Sequence, residues 1–277
     1  MSYRLLAIDL DGTLLQRDGT IHARDLEAIA RIRKQGVAVT LCTGRLYSGT
    51  RRAAELLNLE GPVGCVDGSQ VMHHAAAGAT PLHLTAIRGE HALHLRELLG
   101  RRSTARFFVA GDRIIHDAAG ELFRPYVATW TGELEQTSDL HAHPFWQDAS
   151  GVLAAIVVAP MTDIEATAAD IRAELGAHAH LISFPLTRLE GMGGMVVRAP
   201  GRNKGTALQS IGARLGIAVN EMVAVGDWFN DTPMFEVVGR SFAMKSAPDE
   251  VRAVATDQVS CELKDGGVAE VIERVFG

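Results

Sequence analysis

Cysteine is scarce and unpatterned in this chain of 277 residues: Cys42, Cys65 and Cys261 are an odd number without Cys-x-x-Cys spacing. They suggest neither a disulfide framework nor a zinc site, and read as small hydrophobes. Long apolar runs are missing as well. The longest, Gly151 to Ala159, falls far short of the roughly 20 residues that a spanning helix needs. No charge of one sign dominates, since 27 Lys and Arg stand against 33 Asp and Glu and the two are interspersed, for a formal net charge of −6. That balance argues against a nucleic acid or an anionic membrane as partner. Asp9 and Asp11 interrupt the first apolar run, so no signal peptide is expected and a cytoplasmic location follows as the default. There is no internal repeat and no low-complexity tract, and nothing speaks to oligomeric state.

What is present is an ordinary globular composition, 47% hydrophobic and 22% charged, on enough chain for one large domain or two modest ones. Leu5 to Ile8 is a short unbroken apolar run, the pattern of a strand covered on both faces. Arg24 to Gln35 has helical spacing and stops at Gly36; Val37 to Cys42 is strand, Arg51 to Leu59 helix and Val63 to Val66 strand. This βαβαβ series predicts a doubly wound, Rossmann-like parallel sheet. The same rhythm returns from Lys204 to Phe276. Between the two halves, helices at Glu90 to Leu99 and Ile164 to Leu175 alternate with paired strands, including a hairpin around Gly111-Asp112, which predicts an α+β unit inserted into a split core. The expected segments are core 1–83, insertion 84–190 and core 191–277, with the glycine-dense stretch from Arg188 to Met195 read as a hinge or a plain loop at the return.

Chemistry concentrates at the ends of the core strands. The first strand runs into Asp9-Leu-Asp11-Gly-Thr13, the second into Thr43-Gly44-Arg45, and a later one into Gly226-Asp227-Trp-Phe-Asn230-Asp231, while Lys204-Gly205 opens a helix. Each is weak alone, and the first could be a polar turn closing a strand. In an open α/β sheet, however, ligands bind beyond the carboxyl ends of the strands, which would gather all four. Asp9, Asp11, Asp227 and Asp231 would repel one another without a hard cation, and magnesium, which takes one or two carboxylates and shares its remaining coordination with phosphate, fits best. An anionic substrate would then need Lys204, the Thr43 hydroxyl and backbone N–H groups. A carboxylate can attack phosphorus, and a second can protonate the departing alkoxide and later activate water. A turn beginning at Leu10 would change the relative aim of Asp9 and Asp11.

These four motifs, in this order and with a large insertion before the lysine, resemble the haloacid dehalogenase superfamily in its Cof-type branch of phosphatases. The similarity continues through Ala243-Met-Lys-Ser-Ala-Pro248 and Asp265-Gly-Gly-Val268. The resemblance implies a magnesium-dependent hydrolase of small phosphate monoesters, with sugar phosphates foremost, and an α+β cap of C2 type. It implies Asp9 as nucleophile and metal ligand, and Asp11 as acid and base and as a ligand through its backbone carbonyl. Asp227 would complete the metal ligands, and Thr43, Gly44, Lys204 and Asn230 would hold phosphate. Asp231 would support the metal or Lys204, and Arg45 would contact substrate or cap its own helix. A phosphomutase, or a non-catalytic phosphate sensor on the same scaffold, are the other readings.

Two positions depart from the pattern. Asp67-Gly68-Ser69 stands where Cof-type proteins often have asparagine before glycine, an added negative charge that would change substrate choice. Trp228 stands where small or polar residues are usual, and would narrow the entrance or pack. Eleven histidines, among them His73-His74, His141-x-His143 and His178-x-His180, show no third ligand at zinc-like spacing and read as surface or core residues. Phe107, Phe108, Trp130, Phe145 and Trp146 of the insertion read as packing or as a leaving-group pocket.

Overall fold

Leu5–Ile8 forms β1 and is fully buried, as expected of a strand covered on both faces. In the computed structural model, which describes residues 2–186 and 189–277, it is followed by α1 (Ala23–Lys34), β2 (Ala38–Leu41), α2 (Tyr47–Leu56), β3 (Gly61–Cys65), β4 (Gln70–Ala75) and β5 (Gly78–Leu84). The middle of the chain forms α3 (Gly89–Gly100), β6 (Ala105–Ala110), β7 (Arg113–His116), α4 (Arg124–Val127), β8 (Leu134–Gln136), β9 (Ala154–Pro160), α5 (Met161–Glu174), β10 (His180–Pro185) and β11 (Met192–Arg198). The last part forms α6 (Lys204–Leu215), β12 (Met222–Gly226), α7 (Thr232–Val237), β13 (Arg240–Ala243), α8 (Asp249–Val254), β14 (Asp257–Gln258) and α9 (Gly267–Phe276). Two compact units result, one of Met1–Gly44, Thr50–His83 and Arg202–Gly277, the other of Arg45–Gly49 and Leu84–Gly201.

The first unit is built on a five-stranded parallel sheet in the order β14-β13-β12-β1-β2. Leu5, Ala7, Met222 and Ala224 pack with Leu208 and Ile211 of α6 and Met234 and Phe235 of α7. Strand alternation sends the equally buried Leu6, Ile8, Val223 and Val225 to the other face. The chain leaves β1 toward β2 on one side and reaches β12 on the other, so the switch in strand order lies at the carboxyl ends of β1 and β12. Beside β2, β3 makes a parallel bridge at Cys42 and Gly64, then pairs antiparallel with β4 in a separate sheet ordered β3-β4-β5. The β4 and β5 strands are not anticipated by the sequence pattern: Thr80, Leu82 and Leu84 alternate, but Pro81 and the alanine-rich turn at Ala75-Ala-Ala-Gly78 interrupt the signal.

The second unit is a six-stranded sheet, β10-β11-β9-β6-β7-β8, antiparallel except where β7 meets β8. On one face Leu95, Leu98 and Leu99 of α3 and Ile164 and Ile171 of α5 bury Phe108, Ala155, Val157, Met195 and Val197. Phe107, Phe108, Phe145 and Trp146 are buried here as packing residues, and Trp130 is partly buried.

The glycine-dense return is a correction. Arg188 lies outside the described residues, but Met192 to Met195 is strand, and β11 pairs along its length with β9 and β10 rather than opening the second part of the core. The glycines make room: a Cβ on Gly193 would sit 2.5 Å from Met161 Sδ, and one on Gly194 would sit 2.6 Å from the Phe184 ring of the neighbouring strand. At Gly193 and Gly194 close approach is what glycine provides, while Gly191, left-handed at φ 73° with nothing within 4 Å, serves the turn from β10 into β11, the plain-loop reading. Cys42 and Cys65 are buried while Cys261 is partly exposed, and no helix among the described residues is long and apolar enough to cross a membrane.

Candidate active site

At the end of β1 the chain keeps one more ladder bond, Asp9 N–H to the Val225 carbonyl at 3.0 Å, and then turns. The Leu10 carbonyl accepts the N–H groups of Thr13, Leu14 and Leu15 at 3.4, 3.0 and 2.8 Å, so the turn does begin at Leu10. It separates a buried Asp9 from an exposed Asp11, giving two carboxylates in different surroundings. Gly12 is in the left-handed region at φ 83°, and a Cβ there would lie 2.1 Å from Asp227 Oδ2, so only glycine lets this turn press against the end of β12. Thr13, fully buried, directs its hydroxyl toward Asp227 Oδ1 at 3.5 Å.

Lys204 is brought to the same place by helix capping. Asn203 Oδ1 accepts the Thr206 N–H at 2.8 Å and Thr206 Oγ1 accepts the Asn203 N–H at 3.0 Å, a reciprocal box that makes Lys204 the first residue of α6. Its ammonium, 1% exposed, donates to Asp9 Oδ1 and to Asp231 Oδ1, both at 2.6 Å. Asp231 Oδ2 in turn accepts the backbone N–H groups of Asp227 and Trp228, each at 2.9 Å. Both Asp231 oxygens are thus engaged, and this residue fixes Lys204 and the loop after β12 at once. The sequence named Asp231 without separating metal support from lysine support; the structure favours the lysine.

Burial is the leading influence on Asp9, Asp227 and Lys204. It pushes the Asp9 carboxyl well above the ordinary range, with Asp231 and Asp227 adding repulsion that Lys204 opposes. It pushes Asp227 up to about 7, again with Asp231 and Asp11 contributing. For Lys204 burial acts downward, but the carboxylates of Asp231, Asp9 and Asp67 outweigh it and hold the ammonium protonated. One oxygen from each of Asp9, Asp227 and Asp231 lies within 4.8 Å of the others. Buried carboxylates driven up by desolvation and mutual repulsion suit a hard divalent cation, and Asp9, Asp227 and Asp231 form a group that could hold one.

The remaining expected residues are distributed around this centre. Thr43 is buried, with its N–H on the Gly64 carbonyl at 2.9 Å, and Gly44 lies next to Asp67. Asn230 Nδ2 donates to Asp67 Oδ1 at 2.9 Å. Arg45 groups with the second unit, and its guanidinium donates to the Gly49 carbonyl in the first turn of α2 at 3.4 Å. Trp228 and Phe229 are 55% and 49% exposed and meet edge to face, so Trp228 is a surface residue of the Asp227 loop rather than a packed one. Sequence reasoning missed the Asn203 cap, whose signal was the Asn-x-x-Thr spacing before an apolar run. The histidines of the insertion form carboxylate pairs, His141 with Glu97 and His143 with Glu135, while His178 stacks on His91.

Comparison with known proteins follows the same outline. A sequence model of the haloacid dehalogenase-like hydrolases matches residues 6–272. Among curated relatives, the 5-amino-6-(5-phospho-D-ribitylamino)uracil phosphatase YwtE of Bacillus subtilis is 27% identical, over 99% of this chain and 98% of its own length. Pyridoxal phosphate phosphatase YbhA of Escherichia coli is 28% identical over 92% of each chain. The solved structure of the subclass IIB sugar phosphatase BT4131 superposes with a TM-score of 0.77 at 18% identity, covering 98% of both chains.

Proposed function

The chain belongs to the haloacid dehalogenase-like hydrolases, and from that premise we propose that it is a magnesium-dependent phosphatase of small phosphate monoesters, using Asp9 as nucleophile and Asp11 as general acid and base. The observation that carries the reading is the ion pair of the Lys204 ammonium with Asp9 Oδ1 at 2.6 Å, itself held by Asp231. It presents a buried carboxylate, oriented through one oxygen, at the carboxyl end of the central strand.

Asp9, Asp227 and the backbone carbonyl of Asp11 would hold magnesium, which when bound offsets the repulsion among the carboxylates and withdraws charge from the phosphoryl oxygens. Lys204, the Thr43 hydroxyl, the Gly44 N–H and the Asn230 amide would grip the phosphoryl group, donors fixed in place before charge develops. The free oxygen of Asp9 attacks phosphorus, the bond to the ester oxygen breaks, and Asp11 gives its proton to the departing alkoxide. Asp11, now the base, takes a proton from water as that water attacks the same phosphorus. The bond to Asp9 breaks and inorganic phosphate leaves. Lys204 stays protonated throughout, neutralising Asp9 when it is free and the phosphoryl group when it is bound. Asp11 is exposed and can exchange protons with solvent, whereas Asp9 is 4% exposed and ion-paired with Lys204.

The relatives' names carry phosphate monoesters of ring compounds, namely a ribitylaminouracil, pyridoxal and sugars. Small ring-bearing monoesters, sugar phosphates first, are the substrate class we infer. Phosphate release from a panel of such esters, with magnesium and with a chelator, tests this. Magnesium-dependent turnover of one or a few supports it. Binding without turnover favours a sensor, and transfer of the phosphoryl group to a second sugar favours a mutase.

A further inference from the structure

Val66 and Asp67, consecutive and neither of them glycine, are both left-handed, at φ 48° and 46°, and Gly68 follows at φ 88°. A β-branched residue in that region is a genuine outlier, and such conformations persist only where the surroundings dictate them. Here they do. The Asp67 N–H donates to the Thr43 carbonyl at 3.0 Å, and the Ser69 N–H closes the turn on the Val66 carbonyl at 3.0 Å. Gly68 lies so close to the start of α6 that a Cβ would come within 2.3 Å of the Asn203 carbonyl. The turn is clamped between the Thr43 loop and the Lys204 helix, and what it delivers is a carboxylate. Asp67 Oδ1 accepts from Asn230 Nδ2 at 2.9 Å and lies 3.4 Å from the position a Cβ on Gly44 would take.

That carboxylate stands between two of the groups assigned to phosphate, Gly44 and Asn230. It holds the Asn230 amide and puts a fixed negative charge at the rim of an anion site. A single phosphoryl group would be compensated by Lys204 and by a cation held at Asp9 and Asp227. A further phosphate on the leaving group would be repelled by the Asp67 carboxylate, whereas an ammonium there would be attracted.

We propose that Asp67 is a specificity-determining residue of the phosphate site, a charge filter that discriminates against ligands with more than one phosphate and favours those with a cationic leaving group. One like charge within several ångströms in a partly desolvated site changes affinity by about tenfold. This rests on the phosphatase reading for the position of the phosphate, and the test separates the two.

Asp67→Asn and Asp67→Gly both tolerate φ near 46°, the first keeping an acceptor for Asn230 and the second removing it. Binding of inorganic phosphate and pyrophosphate at fixed free magnesium, measured by calorimetry on wild type and both variants, reads the filter without requiring turnover. The preference of wild type for phosphate over pyrophosphate should fall about tenfold in both variants. Its preference for phosphoethanolamine over propyl phosphate should fall by a similar factor. Ratios within twofold of wild type in both variants overturn the filter. If wild type binds these anions but hydrolyses no monoester, the phosphatase reading fails while the ratios still decide the role of Asp67.

Discussion

Lys204 shows how few residues decide this site. Its ammonium is shared between Asp9 and Asp231 at 2.6 Å each, with all three side chains essentially buried. Removing the cation leaves two buried carboxylates uncompensated, which costs about 3–5 kcal/mol. Lys204→Met should therefore lower turnover at least about a hundredfold, the loss expected for a group facing developing charge. It should also destabilise the fold more at pH 8 than at pH 5, because Asp9, already raised by burial, loses the cation that opposes the rise, and its stability is recovered as pH falls through its folded-state value. Urea unfolding at both pH values checks this, and an unchanged midpoint at pH 8 contradicts it. The chemistry here was legible because each group sits in a short motif at a strand end or helix start. What was not legible was the division of labour: only geometry shows both Asp231 oxygens taken, one by Lys204 and the other by two backbone N–H groups.

The junction of α1 and α9 holds a buried charge unrelated to catalysis. Asp25, in the first turn of α1, is fully buried; its Oδ1 accepts the Ala269 N–H near the start of α9 at 2.7 Å, and its Oδ2 has no partner. Burial pushes its carboxyl up to about 6 from 3.8, against the pull of the Ala269 N–H. An acid raised on folding binds its proton more tightly in the folded state, so the associated stability is present below pH about 4 and is lost as pH rises through about 6. The full span is about 3 kcal/mol. Asp25→Asn keeps an acceptor without the charge, so its stability relative to wild type should rise between pH 4 and pH 7 by up to that amount in thermal or urea unfolding; a pH-independent difference contradicts it. The strands of the insertion teach a related point. Gly193 and Gly194 read as part of a hinge or loop because sequence records absent side chains and not the Met161 thioether and Phe184 ring that fill the space. Gly194→Ala should cost about 1–3 kcal/mol by overpacking, measurable as a lowered unfolding midpoint, whereas Gly78→Ala, which meets nothing within 4 Å despite its positive φ, reports backbone strain alone.

Across the molecule, the split parallel sheet with an α+β insertion was legible because hydrophobic period and glycine punctuation recur at both ends of the chain. The β4–β5 hairpin and the placement of β11 were not, since they depend on pairing between segments with little local signal. The site draws on strands and helices from both ends of the sequence, so a cation bound by Asp9 and Asp227 would tie β1 to β12. Magnesium should raise the thermal midpoint of wild type by an amount equivalent to about 2.7 kcal/mol at a hundred times its dissociation constant. That increment should be largely absent in Asp227→Asn, and equal shifts in both proteins would remove Asp227 from the ligand set.

The covalent step on Asp9 is the centre of the account, and it can be trapped. The protein is mixed with a turned-over monoester and magnesium, quenched in acid within the first turnover, and its peptides are mapped for phosphate. The account predicts a hydroxylamine-labile phosphoryl group on the peptide carrying Asp9, absent from Asp9→Asn, which should also have lost turnover. Full turnover in Asp9→Asn, or phosphate on a different residue, would contradict it.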